Sequence, residues 1–387
     1  MRPQVSAVRQ TVESLASFAD RGAGTDAERR AASWLAEELR RSGREATIET
    51  FWCRPNWPLA HAWHVALGVA GSLVAVSAPK AGAGMVLAAL LCVIVDWVTG
   101  WSPGRSLTPE RASQNIVSPP RSGHGSHDVR LVVTAALDAG RRGLVHRGAV
   151  RRHIDRITSG RAPGWLGWLT LTLVWTLATA LLRVEGDRGT AVSVAQLIPT
   201  VALVLGLALL LELGTAAWDH SAADDACGVA VALALVRALD AAPPASVDVA
   251  LVMTGAADSQ GIGLRRYLRS RRRRRRADNT VILGIGPCGA GTPSYLISDG
   301  SLVPLAFHRS LRGLAAGISA DEPGLELRPA RGRGTSAAFP GRLAGLPAIT
   351  LTGGTPDGTL QAGLLLVDAI DAYLAAPGRG DRELTPA

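Results

Sequence analysis

Lysine is almost missing from this chain of 387 residues: Lys80 stands alone among 41 basic residues, and all the others are arginine. Such a bias reflects genome composition in part, so arginine content by itself identifies no partner. The net charge of +9 still favours anionic surfaces, whether lipid headgroups or nucleic acid. Cysteine is scarce as well. Cys53, Cys92, Cys227 and Cys288 show no CxxC spacing, which excludes a zinc knuckle and predicts small buried thiols in a reducing compartment. Aromatic residues make up only 4%, and the 10 tryptophans outnumber phenylalanine and tyrosine together. The first 56 residues lack an apolar central segment, so no cleavable secretory signal is expected.

Charge is absent from four long stretches, Pro58–Pro79, Ala81–Val95, Ala162–Leu182 and Gly189–Leu211. A helix needs about 20 apolar residues to cross a bilayer. Three of the four reach that length, and the second gains it if Asp96 and Trp97 lie at the interface. Pro199 is tolerated in such a helix. As core helices of a soluble enzyme, four such runs would demand an improbably large core. Short links, one around Lys80 and one reading "RVEGDRG", join the runs into two hairpins, 58–99 and 162–212. Hairpins place everything else on one side of the membrane. Trp57, Trp63, Trp97, Trp101, Trp165, Trp168 and Trp218 fall at the span ends facing that side, as an interfacial belt would. Arginine is dense on that side and sparse in the links. The expectation is a multi-pass cell-membrane protein with its soluble part and both termini in the cytoplasm.

The soluble pieces, 1–57, 100–161 and 213–387, read as one interrupted domain. "TDAERRAASWLAEELRRSGREATIETF" is a capped amphipathic helix, a glycine stop and a strand. "SQNIVSP", "DVRLVVTAALDAG", "SVDVALVMTGA", "NTVILGIG" and "LPAITLT" are further strands. Helices alternate with them after Asp224, at "QGIGLRRYLRS" and near Gly358–Leu374. This alternation predicts an α/β fold, a mixed sheet sandwiched by helices, with four transmembrane helices inserted as two hairpins.

In order and context, "SQNIV", "VVTAALD", "ADDACG", "TGAADSQGIGLRRYL" and "GLPAIT" resemble metallopeptidase family 28. These are di-zinc exopeptidases that include bacterial leucyl aminopeptidases and glutamate carboxypeptidase. The resemblance covers about 50 N-terminal residues, 111–140 and most of 219–375, leaving the hairpins as insertions. It implies a zinc-exopeptidase-like sheet and a site for two zinc ions.

Matched residue by residue, that implied site is depleted. A first ligand, a histidine, falls on Ala136, while Asp138, the residue that would orient it, remains. The bridging carboxylate falls on Asp224, followed by Asp225. The general base falls on Asp258, one methylene short, and the adjoining ligand on Ser259. "VILGIGPCGAG" holds no acid where the next ligand belongs, and no histidine lies beyond His308. One carboxylate cannot hold two dications. Asp224 and Asp225 then read as helix N-capping groups. A single-metal site built from His220 with Asp225, Asp258 or Asp138 is the rescue.

Nine arginines lie between Arg265 and Arg276, ending in Arg271, Arg272, Arg273, Arg274, Arg275 and Arg276. A solvated helix end, an anionic lipid surface, and an acidic or nucleic-acid partner are the available readings. Only Tyr267 could stack on a base, which disfavours nucleic acid. His61 and His64 read as interfacial residues at a span end. The reading as a whole is a catalytically inactive peptidase-like domain that binds or scaffolds at the membrane, with an unidentified peptide or protein ligand in its cleft and no cofactor. The alternatives are an active zinc exopeptidase with altered ligands, and an adaptor for anionic lipid or nucleic acid through the arginine run.

Overall fold

A computed structural model of the chain describes residues 2–121, 127, 129–144, 164–218, 225–272 and 279–375. Helices α1 (Arg2–Ala16) and α2 (Asp26–Arg41) come first. Thr25 caps α2 by accepting the Glu28 amide at 3.2 Å, and the Glu28 carboxylate reaches back to the Gly24 amide at 2.6 Å. This reciprocal arrangement supplies acceptors to amides that a helix start leaves without partners. Ala31, Ala32, Leu35, Ala36 and Leu39 form the buried stripe of α2.

Nine strands form one mixed sheet: β1 (Thr47–Cys53), β2 (Arg111–Ser118), β3 (Val129–Ala136), β4 (Val247–Thr254), β5 (Thr280–Ile285), β6 (Pro293–Asp299), β7 (Leu305–Ala306), β8 (Arg328–Arg331) and β9 (Ala348–Gly353). Their order is β1-β2-β4-β3-β5-β9-β6-β7, with β8 beside β6. The central four, β4-β3-β5-β9, are parallel. Both faces of this centre are buried, which is why its strands read as nearly unbroken apolar runs. Leu131, Val133, Leu251, Met253, Leu283 and Leu351 join one core. That face is covered by α1, α2, α8 (Asp225–Ala241), α10 (Arg309–Asp321) and α12 (Pro356–Ala375). Val132, Val252 and Ile282 point to the other face, under α9 (Ile262–Ser270) and α11 (Phe339–Leu343).

The second core does not stop at those helices. It continues into Trp57, Val65, Val86, Val93, Trp97, Leu166 and Leu210 of four long helices, α3 (Trp57–Ser77), α4 (Pro79–Thr99), α6 (Trp165–Val184) and α7 (Thr190–Thr215). A one-turn helix, α5 (Pro103–Ser106), follows α4. Within the bundle α3 packs on α4 and α7, and α6 packs on the same two. Gly71 and Gly82 allow the close approach of α3 and α4, since a Cβ on Gly82 would lie 2.4 Å from the Ala75 nitrogen. The rest of the surface is apolar: Leu73, Leu91, Leu171, Leu197, Ile198, Val201 and Leu205 are all exposed.

Several expectations need revision. Pro79 does not end α3 but opens α4, and both helices have 21 residues. Among the described residues five helices, not four, are long and apolar enough to cross a membrane. The fifth, α12, lies on the sheet with Leu360, Leu366, Val367 and Ile370 in the core, and its Asp371 carboxylate accepts the Ala245 and Ser246 amides at 2.9 and 2.6 Å. Cys227 and Cys288 are not free thiols; they form a disulfide with a Cα–Cα separation of 5.5 Å. His61 and His64 are not interfacial but fully enclosed, at 0% and 3% exposure.

Candidate functional site

The C-terminal ends of parallel strands are where open α/β sheets place ligands. In this sheet Ala136 of β3 pairs with Thr254 of β4, and Ile285 of β5 pairs with Leu351 of β9. The Gly289 amide donates to the Gly354 carbonyl at 2.8 Å, which brings the β5 and β9 exits together. The start of α8 arrives at the same edge, because Gly228 packs against the Gly286 carbonyl and Cys227 is bonded to Cys288. Ala136, Ser259, the end of β5 and Gly354 therefore gather at one end of the sheet, as the sequence order implies. Asp224, His220 and Arg273–Arg276 lie outside the described residues, as does the side chain of Asp225.

The segment Gly255–Gly261 joins β4 to α9 and carries Asp258 and Ser259. Its backbone is strained, with Ala256 and Gln260 in the left-handed region at φ 49° and 61°. Gly255 is required where it stands, since a Cβ would meet the Glu28 Oε1 and the Ser113 Oγ at 2.4 Å. Such a conformation persists only if its surroundings dictate it, and here they do. Asp138, 1% exposed, accepts the Ala257 amide at 2.7 Å and the Asp258 amide at 3.3 Å. Asp138 thus has work that does not involve orienting an imidazole. Glu28 accepts the Ser113 hydroxyl at 2.7 Å and the Ala256 amide. Asn115 takes the Gly255 amide at 3.2 Å and donates to the Gly263 carbonyl at 2.9 Å.

Burial pushes the Asp138 carboxyl up to about 7, helped by the charge of Asp258 and opposed by the Ala257 amide. Burial likewise pushes Glu28 up to about 8, with the charge of Asp138 adding to it. Two carboxyls thus sit beneath one loop and titrate near neutrality. Asp258 is exposed, and its Oδ2 accepts the Trp57 indole N–H at 2.9 Å. A helix of the bundle therefore reaches the position that the resemblance gives to a general base. Trp57 stacks on Trp165 at 4.5 Å, so part of the expected interfacial belt is an inner seam, while Trp63, Trp101 and Trp168 are exposed.

Ser259 is tied to the other side. Its hydroxyl accepts from Nη1 of Arg105 at 2.7 Å. Arg105 also donates to Asp96 through Nε at 2.5 Å and Nη2 at 3.0 Å, and to the Arg54 carbonyl at 2.9 Å. His61 Nε2 lies 3.1 Å from Asp96 Oδ2, and His61 Nδ1 lies 3.3 Å from His64 Nδ1. The whole group is buried. Sequence reading put Asp96, His61 and His64 at a membrane interface and Ser259 at a ligand position, and did not join them, although a lone acid in an apolar run was the available signal.

Among the described residues zinc finds a poor fit. Ala136 has no donor, Ser259 already faces a guanidinium that would repel a dication, and Cys288 is spent in a disulfide. Among the described residues no group of three or more His, Cys, Asp or Glu is placed to hold a metal ion.

Four arginines of the basic run, Arg265, Arg266, Arg269 and Arg271, are engaged with the protein. Arg265 donates to the Val98 and Trp97 carbonyls at 2.6 and 2.8 Å, and Arg269 to the Thr99 carbonyl at 2.6 Å. They cap the end of α4, where cations oppose the helix dipole. Burial lowers Arg265 to about 10, with Arg269 and Arg105 adding to the effect. Arg271 pairs with Glu49 and lies 4.2 Å above the Tyr267 ring.

No family model matches this sequence, and no curated protein matches it. Among solved structures, a zinc aminopeptidase from Bacillus subtilis superposes with a TM-score of 0.50 at 12% identity, covering 98% of this chain and 97% of that one. The glutaminyl cyclase of Fimbriiglobus ruber gives 0.49 at 12% identity, covering 95% of this chain and 94% of that one. At such identity the likeness concerns the fold alone, which is similar to that of the Bacillus subtilis zinc aminopeptidase.

Proposed function

We propose that this chain is a multi-pass membrane protein whose exopeptidase-like domain binds or scaffolds without hydrolysing peptides. The observation that carries the reading is the contact of Arg105 with Ser259. A fixed guanidinium stands beside a position where the resemblance asks for a zinc ligand, and Ala136 leaves the neighbouring position without a donor. Four apolar helices with outward-facing Leu, Val and Ile support membrane insertion. The cleft ligand is then a peptide or protein segment bound without cleavage, and the arginine run is the part of the chain that binds anionic headgroups.

Purified protein in lipid nanodiscs tests the catalytic half. The expected result is no stoichiometric zinc by elemental analysis and no hydrolysis of aminoacyl anilides with or without added zinc. About one zinc per chain, lost in Asp224→Ala together with activity, establishes the altered-ligand enzyme instead.

Sidedness has two opposed indicators. Arginine density places the domain in the cytoplasm. The Cys227–Cys288 bond favours an oxidising compartment. Alkylation of whole cells followed by mass analysis decides: free Cys227 and Cys288 thiols support the cytoplasmic assignment, and a bonded pair reverses it.

A further inference from the structure

An ion pair taken out of water contributes little net stability, because desolvation offsets the attraction. The Asp96–Arg105 pair, at 0% and 2% exposure, therefore needs another reason to exist. Its geometry supplies one. Asp96 belongs to α4 and His61 and His64 to α3, so the acidic end of the cluster is part of the helix bundle. Arg105, on α5, touches Asp96 with one side of its guanidinium and Ser259 with the other. Bundle and loop are joined through one cation.

The two histidines set a proton limit on this junction. Their Nδ1 atoms face each other at 3.3 Å, so one must be bare for the other to donate. His64 Nε2 has no partner and lies in a recess that exists because residue 104 is glycine; a Cβ there would come within 2.5 Å. With Asp96 ionised and Arg105 charged, the neutral histidine pair leaves the cluster without net charge. Arg265 faces it from α9, and no carboxylate besides Asp96 is within ion-pair distance of His61, His64 or Arg105 among the described residues. Protonating both rings would set N–H against N–H and add buried positive charge beside the guanidinium groups of Arg105 and Arg265. The economical relief is for Asp96 to turn from Arg105 toward the imidazolium, which slackens the hold on Ser259.

We infer that His61, His64, Asp96 and Arg105 form a proton-sensitive latch between the helix bundle and the loop Gly255–Gly261. Acidification opens it. The inference stands whether or not the domain is catalytic.

Hydrogen exchange of peptides spanning 254–261, in the full chain in nanodiscs and corrected for intrinsic rates, tests it. Protection is expected to fall roughly tenfold between pH 7 and pH 4 in the wild type. Asp138, which holds the same loop from below, gains a proton over that range and shifts protection the opposite way, so the sign separates the two devices. In His64→Leu the fall is expected to vanish, and in Asp138→Asn it is expected to persist. Constant or rising protection in the wild type, or an undiminished fall in His64→Leu, overturns the latch. Should His64→Leu not fold, His64→Gln carries the same test, since it too cannot take up the proton.

Discussion

One strained loop is gripped from two sides by clusters of opposite electrical character. On the bundle side, Asp96 and Arg105 are of opposite sign and their charges cancel in place. On the sheet side, Glu28 and Asp138 are of like sign and avoid repulsion by keeping protons. The first arrangement depends on both partners being present. The second depends on protons that the folded state keeps. Each is costly alone, and the loop they share carries Asp258 and Ser259. Two buried clusters thus support one short loop, which is easy to explain if the position of the loop matters to what the domain does.

The largest effect should come from breaking the cancellation. Arg105→Ala leaves Asp96 buried with only His61 nearby, and removing one member of a buried pair costs about 3–5 kcal/mol. Chemical unfolding in detergent micelles measures it. The comparison sharpens with the double variant Asp96→Leu/Arg105→Met, which removes both charges and should recover most of that loss, because apolar replacements of buried pairs are often neutral. A loss below about 1 kcal/mol in Arg105→Ala would place the pair among exposed ion pairs in its energetics, and the bundle-side grip would be nominal.

What the sequence disclosed follows the range over which each feature acts. Strands β2, β3, β4, β5 and β9 and helices α2, α9 and α12 were readable because burial on both faces writes continuous apolar runs, and caps and glycine stops mark ends locally. Strands β6 to β8 and helix α10 were not, since 293–331 mixes Pro, Gly and Arg without a clear period. At Ala136 and Ser259 the sequence alone shows residue types that are poor zinc donors. The grip on the loop was not legible. His61 and Asp96 are 35 residues apart, and Arg105 and Ser259 are 154 apart; only packing reveals that they touch. Glu28 was half visible: Thr25-x-x-Glu28 announces a capped helix, but nothing local says the same carboxylate also reaches Ser113 in β2. Cys227 and Cys288, 61 residues apart and outside any motif, gave no sign of pairing.

A smaller, graded effect should distinguish the like-charged side. In the unfolded chain both carboxyls titrate near ~4, whereas in the fold Glu28 is pushed up to about 8 and Asp138 to about 7. The folded state therefore holds more protons between these limits. The stability the two groups contribute is fully present below pH ~4 and is lost as pH climbs through 7 and 8. Each proton retained only by the folded state tilts stability by up to about 1.4 kcal/mol per pH unit. Unfolding midpoints from pH 6 to pH 9 should thus decline in the wild type, and Glu28→Gln should flatten the decline by about one proton's worth while keeping an acceptor for the Gly24 or Ala256 amide. An unchanged slope in Glu28→Gln would mean that Glu28 is ionised at neutral pH, and the two sides of the loop would then differ in sign of charge but not in their response to protons. If instead the slope flattens, the loop is held best in a window bounded above by the carboxyl pair and below by the histidine latch, so that a single segment reports acid and base through different partners.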